Sequence, residues 1–378
     1  MKVAIIYFPI SSVGGIATVA RNLQRAARAS KDEAHVLRSS DATTIQPGLF
    51  ASPKRIRGGD SHIVIDGEAP HGARFRDTKK FLEENYDALF FVHPCCHPTK
   101  AYGTEARWLD MYSDIQLPKA MRFSDGYAET YPWVKSAIGY CEAVFAVEKA
   151  YTLPLEKLGI KAEILPHPFF PEKEDAPRAK TRLTVYPNQW KQIKCPWEFV
   201  AALPKIKGTV EMLNNGIEYY NIRTDPTWIH GVGVDLFAEP KEYAGQALAG
   251  PRTRRFHGSI PYLDAIRWYQ RAWSIVDLMG QRAKHGAYRE GAFNNTVLEA
   301  LWYGARPILH VQALKARLPH DLSLHIDLGP KHKNLAPLIE CVNAAQPLSP
   351  KELDRARTFV LQHHDAKKVW KQLKGALT

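Results

Sequence analysis

The sequence predicts an α/β protein with two doubly wound parallel sheets. Short apolar, β-branched runs alternate with segments of helical period along most of the chain. A glycine pair separates the first strand from the first helix, and residues 166–182 shift to proline and charge, which marks a domain boundary. With 378 residues, the chain is long enough to bury two cores. We therefore expect one domain over residues 1–170 and a second over 171–349.

The first strand is expected at residues 2–8 and the first helix at 16–29, with PISSVGG between them. Gly14 and Gly15 would let the backbone approach a ligand closely, at a helix start that favours negative charge. Many such turns carry glycines for steric reasons alone, so the pair is a weak signal by itself.

The remaining elements of the first domain follow the same alternation. Strands are expected at residues 33–37, 62–65, 87–92, 119–123, 143–147 and 162–165, and helices at 77–85, 133–140 and 150–158. Between residues 38 and 80 the chain is basic and otherwise irregular, either a functional excursion or a solvated insertion.

Polar residues follow two of these strands. His93 and His97 come after strand 87–92, and Asp125 comes after strand 119–123. The carboxyl ends of strands line the ligand crevice in open α/β sheets. These three residues are therefore site candidates, although a histidine in a proline-rich turn is often only structural.

The second domain repeats the pattern. Strands are expected at residues 183–186, 210–213, 217–220 and 307–310, with helices at 197–203, 335–345 and 350–363. Residues 254–279 are expected to form a strand, a turn at Gly258 and Pro261, an amphipathic helix and a further strand. We expect the last helix to continue to the end of the chain, so that residues 350–378 pack back on the first domain. Residues 224–249 have no readable pattern.

The stretch REGAFNNTVLEALWYGARPIL, residues 289–309, has the most chemistry. Its polar turn contains Asn294, and either Asn295 or Thr296 can cap the helix that follows. Such a helix start suits a phosphate, and Glu299, one turn further in, is well placed to hold a ribose. The same residues also fit an ordinary capped helix with Glu299 on its solvated side.

Composition describes a soluble globular protein, with 45% hydrophobic and 24% charged residues. No run approaches the roughly 20 apolar residues of a membrane helix. The start MKVAIIYFPI fits a buried strand better than a signal peptide, so we expect a cytoplasmic protein. Five scattered cysteines, an odd number, argue against a disulfide framework.

The motif HPCCHP resembles a zinc cluster, because Cys95 and Cys96 lie between His93 and His97. Adjacent side chains diverge, and Pro94 stiffens the turn. Four such neighbours cannot readily surround one tetrahedral ion, so no metal site is expected.

The net charge of +12 favours a polyanionic partner, most commonly nucleic acid. Solubility or an anionic membrane surface remain alternatives. The basic residues form short clusters, and those that we expect to contact DNA phosphates are Lys54, Arg55, Arg57, Arg74, Arg76, Arg254 and Arg255.

The order of these motifs resembles the retaining glycosyltransferases of the GT-B fold, family 4. The resemblance rests on SVGGIATVARNL, ILPHPFF, QWKQIKCPWEF and above all EGAFNNTVLEALWYG, and it spans most of the chain. It implies two Rossmann-like domains that face a central cleft, and a C-terminal helix that crosses back. Within this group, the basic charge and the QWKQIK turn are similar to those of the enzymes that glucosylate hydroxymethylated cytosine in phage DNA.

The resemblance also implies roles for individual residues. Glu299 would bind the ribose of a nucleotide-sugar, expected to be a UDP-sugar, and Glu290 would contact the donor sugar. Lys194 would neutralise the leaving phosphate, and no metal cofactor would be required. Gly15 would lie under the diphosphate, which would be held by the amides of Asn295, Thr296 and Val297.

Two departures from the family pattern bear on these roles. Glu290 stands nine positions before Glu299, where the family usually has eight. Gln189 occupies the usual position of an arginine, for which Lys191 can substitute.

The expected function is transfer of a sugar to a hydroxymethylated base that is flipped out of duplex DNA. Two alternatives remain open at this point. One is a glycosyltransferase of the same fold with a lipid or polysaccharide acceptor. The other is a non-catalytic nucleic-acid-binding protein on an inactive fold.

Overall fold

The chain folds as two units, each built on its own sheet. Unit 1 comprises Met1–Phe170 and His364–Thr378, and unit 2 comprises Pro171–His363. The computed structural model describes residues 1–7, 15–39, 53–55, 61–65, 73–92, 113–124, 132–172, 179–188, 196–213, 254–257, 262–278, 293–329 and 334–378.

The sheet of unit 1 has the strand order β3-β4-β2-β1-β5-β6-β7-β8. Its strands are β1 (Lys2–Tyr7), β2 (Glu33–Ser39), β3 (Pro53–Arg55), β4 (Ser61–Ile65), β5 (Ala88–Phe91), β6 (Lys119–Phe123), β7 (Ala143–Ala146) and β8 (Glu163–Ile164). All neighbours pair in parallel except β3 and β4, which are antiparallel.

The described helices of unit 1 are α1 (Gly15–Ala29), α2 (Ala73–Asn85), α3 (Pro132–Ile138), α4 (Thr152–Lys157) and, after the chain returns, α10 (Ala366–Leu377). The middle of β1 is apolar at consecutive positions and fully buried, as expected for a parallel strand in the centre of a sheet. One core joins this sheet to the apolar faces of α1 and α10, including Leu23 and Trp370.

The sheet of unit 2 is entirely parallel, in the order β11-β10-β9-β12-β13-β14. Its strands are β9 (Thr181–Tyr186), β10 (Thr209–Leu213), β11 (Arg254–His257), β12 (Ala272–Asp277), β13 (Arg306–His310) and β14 (Leu324–Ile326). The helices are α5 (Pro196–Ala202), α6 (Tyr262–Arg271), α7 (Asn295–Tyr303), α8 (Ala336–Ala344) and α9 (Pro350–His364).

Helices cover both faces of this second sheet. One core packs α5 and α8 against the strands, and another packs α6 and α7 against the opposite face. The predicted architecture of two doubly wound parallel sheets is therefore confirmed.

The basic stretch 38–80 is more regular than the sequence indicates. Strand β4 extends the sheet by pairing in parallel with β2, and β3 adds an antiparallel edge. Helix α2 begins at Ala73, four residues before the expected start at 77. The strand expected at 62–65 is thus confirmed as β4, whereas β3 was not expected, because an edge strand needs few apolar positions.

The C-terminal segment differs from the single continuous helix that we expected. Helix α9 ends at His364, and α10 begins at Ala366 with Asp365 as its N-cap, whose carboxylate accepts from the amide of Lys367 at 2.8 Å. Phe169 pairs with Asp365 in an isolated parallel bridge. That pairing interrupts the helical hydrogen bonds where the chain returns to unit 1.

Helix α10 is fixed to unit 1 by polar bonds as well as by its core residues. Asp32 accepts from Trp370 Nε1 at 2.9 Å and from Lys374 Nζ at 2.7 Å. Burial acts to raise the pKa of Asp32, but these two hydrogen bonds outweigh burial, and the pKa lies below its ordinary value.

Among the helices of the described residues, none is long and apolar enough to cross a membrane.

Candidate functional site

The strand order of unit 2 reverses at one place, between β9 and β12. From β9 the chain adds β10 and β11 on one side, and it then returns to add β12, β13 and β14 on the other. Ligands of open α/β sheets bind outside the carboxyl ends of the strands at such a switch point. Asn188 follows β9, Asp277 ends β12, and α7 begins just beyond this edge.

Asn294 connects these elements. Its Nδ2 donates to Asp277 Oδ2 at 2.7 Å and to Asn188 Oδ1 at 3.2 Å. Asn188 in turn donates from its Nδ2 to the carbonyl of Val276 at 3.1 Å. Asp277 and Asn188 are each only 3% exposed. A buried hydrogen-bond network of this kind holds the residues at the switch point in one arrangement.

The start of α7 differs from the expected cap. Asn294, and neither Asn295 nor Thr296, is the N-cap residue, and its side chain makes no capping hydrogen bond. Because its amide group binds Asp277 and Asn188, it is directed away from the helix. An N-cap side chain would otherwise accept from one of the first helical amides.

The backbone amides at this helix start are not equivalent. Val297 N donates to the carbonyl of Asn294 at 3.0 Å. By helix geometry, the amides of Asn295 and Thr296 precede the first bond within the helix. These two amides are therefore the best placed to meet an anion above the turn.

Glu299 lies one turn into α7 and is 4% exposed. The alternative in which it faces solvent is therefore wrong. Burial first, and then the charges of Glu299 and Asp277, raise the pKa of the Tyr269 phenol well above the ordinary value.

The other end of α7 is held by two cations. Lys180 Nζ donates to the carbonyls of Tyr303 at 2.6 Å and Tyr269 at 2.9 Å, and Arg357 Nε donates to the carbonyl of Trp302 at 3.1 Å. Burial, and then the charge of Arg357, lower the pKa of Lys180 to about 7. Gly304 ends the helix with φ +79°, a conformation that favours glycine.

Several predicted site residues lie outside the described residues. In unit 2 these are Gln189, Lys191, Lys194 and Glu290, and in unit 1 they are Gly14, His93, His97 and Asp125. In the sequence, Gln189 directly follows Asn188, and His93 directly follows Val92, the residue after β5. Gly15 is the first residue of α1.

The predicted DNA-contacting residues that the structure describes lie on two edge strands and on helix α2. Lys54 and Arg55 lie on the edge strand β3, Arg74 and Arg76 lie on α2, and Arg254 and Arg255 lie on the edge strand β11, whereas Arg57 lies outside the described residues. Arg255 is in register with the buried Glu211 of β10.

Sequence reasoning missed Asp277 and Asn188. Both had a usable signal, because each is a polar residue at the end of a buried strand, in SIVD and TVYPN. Neither belongs to a recognisable motif, however, and their partner Asn294 is remote in sequence from Asn188. Within the described residues, no group of three or more His, Cys, Asp or Glu side chains could hold a metal.

No protein-family model matches the sequence, and no curated protein matches it. Solved structures do match. One is an α-glucosyltransferase in complex with UDP and a 13-mer DNA, with a TM-score of 0.65, 10% identity, and coverage of 100% of this chain and 99% of that chain. The chain has the GT-B glycosyltransferase fold.

Two further solved structures with the same fold also match this chain. The Anabaena protein HepE in complex with UDP-glucose has a TM-score of 0.61 and 14% identity, covering 99% of each chain. The lipopolysaccharide outer core galactosyltransferase WaaB has a TM-score of 0.53 and 12% identity, covering 100% of this chain and 99% of that one. At these identities the matches establish the fold, as the sequence resemblance predicted.

Proposed function

We propose that this protein is a retaining glycosyltransferase that moves a sugar from a UDP-sugar to a hydroxymethylated base in phage DNA. The observation that carries the proposal is the buried Glu299, one turn behind an N-terminal helix end at the switch point of unit 2. A carboxylate there accepts hydrogen bonds from ribose hydroxyls, while the helix end meets the diphosphate.

The donor would be held by groups of different kinds. Glu299 takes the ribose, and the amides of Asn295 and Thr296, with Val297 behind them, face the diphosphate. The bonds from Asn294 to Asp277 and Asn188 fix the turn in advance, so little order is lost when the donor binds. Lys194, with Gln189 and Lys191 nearby in the sequence, would neutralise the leaving phosphate, and Gly15 is a further residue that we assign to the diphosphate.

The transfer can proceed on one face of the sugar. The bond from the anomeric carbon to the diphosphate breaks, and a bond from the same carbon to the acceptor oxygen forms on that face. The departing phosphate oxygen takes the hydroxyl proton, so no separate base and no metal are required. Glu290 would contact the donor sugar, while Asp125, His93 and His97 would shape the acceptor side.

DNA is the acceptor that the charge favours. The net charge is +12, and the α-glucosyltransferase with UDP and DNA covers nearly the whole chain. Lys54, Arg55, Arg57, Arg74, Arg76, Arg254 and Arg255 would bind phosphates, which position the duplex without reading sequence. Such a protein would act in the cytoplasm of an infected bacterium.

The test is incubation of the pure protein with UDP-glucose and other UDP-sugars, plus duplex DNA that contains 5-hydroxymethylcytosine. Nucleoside mass spectrometry should show one added hexose, and an unmodified duplex should show none. A DNA affinity that falls steeply with salt is also expected.

A second candidate acceptor is a lipid or polysaccharide, because the lipopolysaccharide galactosyltransferase shares the fold. Donor hydrolysis without transfer to DNA would favour that candidate. If the protein binds DNA but neither binds nor hydrolyses any UDP-sugar, it is a non-catalytic binding protein, and the proposed function is wrong.

A further inference from the structure

A cation is completely buried at the carboxyl edge of the other sheet, in unit 1. Arg122 has 0% exposure and lies near the end of β6, on the same face as Ala120. Ala120 belongs to the core that α1 and α10 cover. Burying a charge in such a place costs roughly several kcal/mol of desolvation free energy unless the charge is fully hydrogen-bonded.

The guanidinium makes bonds in three directions. Its Nε donates to the carbonyl of Leu165 at 3.1 Å, Nη1 donates to Ser124 Oγ at 2.8 Å, and Nη2 donates to His167 Nδ1 at 3.1 Å. Burial lowers the pKa of Arg122 to about 9, and the charge of Glu148 opposes that shift. The side chain therefore remains a cation at neutral pH.

These bonds join the ends of several strands. Ser124 follows β6, and its Oγ also donates to the carbonyl of Val92, just after β5, at 3.4 Å. Leu165 follows β8, and Glu148 follows β7. The guanidinium thus bonds directly to residues that follow β6 and β8, and Ser124 extends the network to the end of β5.

The same network reaches the place where the chain returns to unit 1. His364 Nδ1 donates to the carbonyl of His167 at 3.0 Å. The amide of Phe169 donates to the carbonyl of His364, and the amide of Ala366 donates to the carbonyl of Phe169. Replacing a buried ion by apolar residues is often neutral or stabilising. Stability alone is therefore a weak reason for a cation here, whereas a rigid planar fork can fix several partners in one geometry.

We propose that Arg122 is a positioning residue for the acceptor, which fixes Ser124 and His167 at the carboxyl edge of the sheet in unit 1. This inference rests on the proposed function for the identity of the acceptor. Ligands of open α/β sheets bind outside the carboxyl ends of the strands, and Ser124 and His167 lie at that edge of unit 1. Arg122 itself does not touch the acceptor, because it is buried beneath the edge.

Two variants and one matched control test the inference. S124A removes one bond to the guanidinium without removing the charge, and R122K retains the charge but loses the planar fork. The control is K119M, in the same strand, because Lys119 is also a buried cation and donates to the carbonyl of Leu117 at 2.9 Å. Lys119 lies at the opposite, amino-terminal end of β6.

We expect S124A and R122K to raise KM for hydroxymethylated DNA by about 5-fold and 10-fold or more, respectively, the equivalent of one or two hydrogen bonds. The dissociation constant for UDP-glucose, measured by calorimetry, should stay within twofold of the wild-type value. K119M should lower Tm but leave KM for DNA unchanged. An equal rise of KM in all three variants would mean a structural role only, and would overturn the inference.

A measurement without catalysis separates this inference from the proposed function. At a temperature where every variant is folded, S124A and R122K should speed amide hydrogen exchange in the peptides 143–148 and 163–169. K119M should instead speed exchange in the peptide 113–118. If wild-type protein transfers no sugar but this exchange pattern is found, the proposed function fails while the edge is still organised by Arg122. If the pattern is absent, Arg122 has no positioning role, whatever the activity.

Discussion

The carboxyl edges of the two sheets are stabilised in opposite ways. In unit 2 the edge is acidic and amide-rich, with Asp277 and Asn188 bound to Asn294 at a helix start. In unit 1 the edge is organised by one buried cation, Arg122, which binds Leu165, Ser124 and His167 after two strands. The carbonyl of His167 in turn accepts from His364 of the returning chain. In unit 2, backbone amides at the helix start point toward the place where an anion would bind. In unit 1, the charge of Arg122 is taken up by bonds within the protein, and these bonds hold the edge of the sheet in one geometry.

This difference fits a division of labour within the proposed reaction. A diphosphate needs donors that are in place before it arrives, and a helix start supplies them. A DNA base needs a fixed surface against which to be placed, and in the proposed function basic side chains elsewhere would bind the DNA phosphates. Four predictions would break or sharpen this comparison.

The largest effect is expected in unit 1, from Trp370→Ala. Trp370 is 1% exposed in the core and donates to Asp32, so its loss should lower the free energy of unfolding by about 3–5 kcal/mol. Urea unfolding followed by circular dichroism measures this change. The affinity for UDP, most of whose contacts we assign to unit 2, should stay within twofold at a temperature where the variant is folded. A large loss of UDP affinity would contradict the assignment of most donor contacts to unit 2.

The second prediction concerns the donor carboxylate, through Glu299→Gln. Charged hydrogen bonds are stronger than neutral ones, so we expect UDP-glucose to bind about 10-fold to 100-fold more weakly by calorimetry. The matched control is Glu211→Gln, which changes another buried carboxylate of unit 2, in the middle of β10, and should leave the affinity unchanged. Equal affinity in E299Q and wild type would remove Glu299 from the donor site.

Third, Asn294→Asp distinguishes a helix cap from a partner of Asp277. An aspartate is a good N-cap and would be neutral or stabilising if capping were the role of Asn294. Because Asn294 Nδ2 donates to the buried Asp277, the new carboxylate should instead repel it and destabilise the protein by about 1–3 kcal/mol. Chemical unfolding measures the sign of the change. Asn294→Ser, which can cap the helix without adding charge, is the control and should cost less.

The smallest effect is a pH dependence at the start of α9. Glu352 accepts from Arg306 Nη2 at 2.9 Å and from Ser349 N at 2.8 Å, and mainly the bond from Arg306 lowers its pKa to about 2. The folded-state pKa is depressed below the ordinary 4.5, so this stabilisation is complete above pH 4.5 and is lost as the pH falls toward 2.

Glu352→Gln keeps an oxygen for the capping amide but loses the charge opposite Arg306. At pH 7 it should lower the free energy of unfolding by about 1 kcal/mol. The difference between wild type and variant should shrink between pH 4.5 and 3, measured by urea unfolding at each pH. A difference that does not change over this range would show that the charge contributes nothing.

Much of the local structure could be predicted from the sequence, because it depends on residues near in the chain. Apolar periodicity predicted β1, α1, β12 and α7 within a few residues. The sequence also predicted that Glu299 follows a phosphate-suited helix start, although not that Asn294 would be its N-cap. The roles of Glu290 and Lys194 remain predictions.

By itself, the sequence determined the alternation of strands and helices and the placement of Glu299 on α7, and the resemblance of its motifs implied the GT-B layout. The first two follow from a pattern of one to three turns or strands, where neighbours in sequence are neighbours in space. Only the tertiary structure decided that Asn188 and Asp277 meet Asn294, and that Arg122 binds His167 beside the returning His364. The order of parallel strands brings these residues together, and parallel pairing joins segments that are remote along the chain.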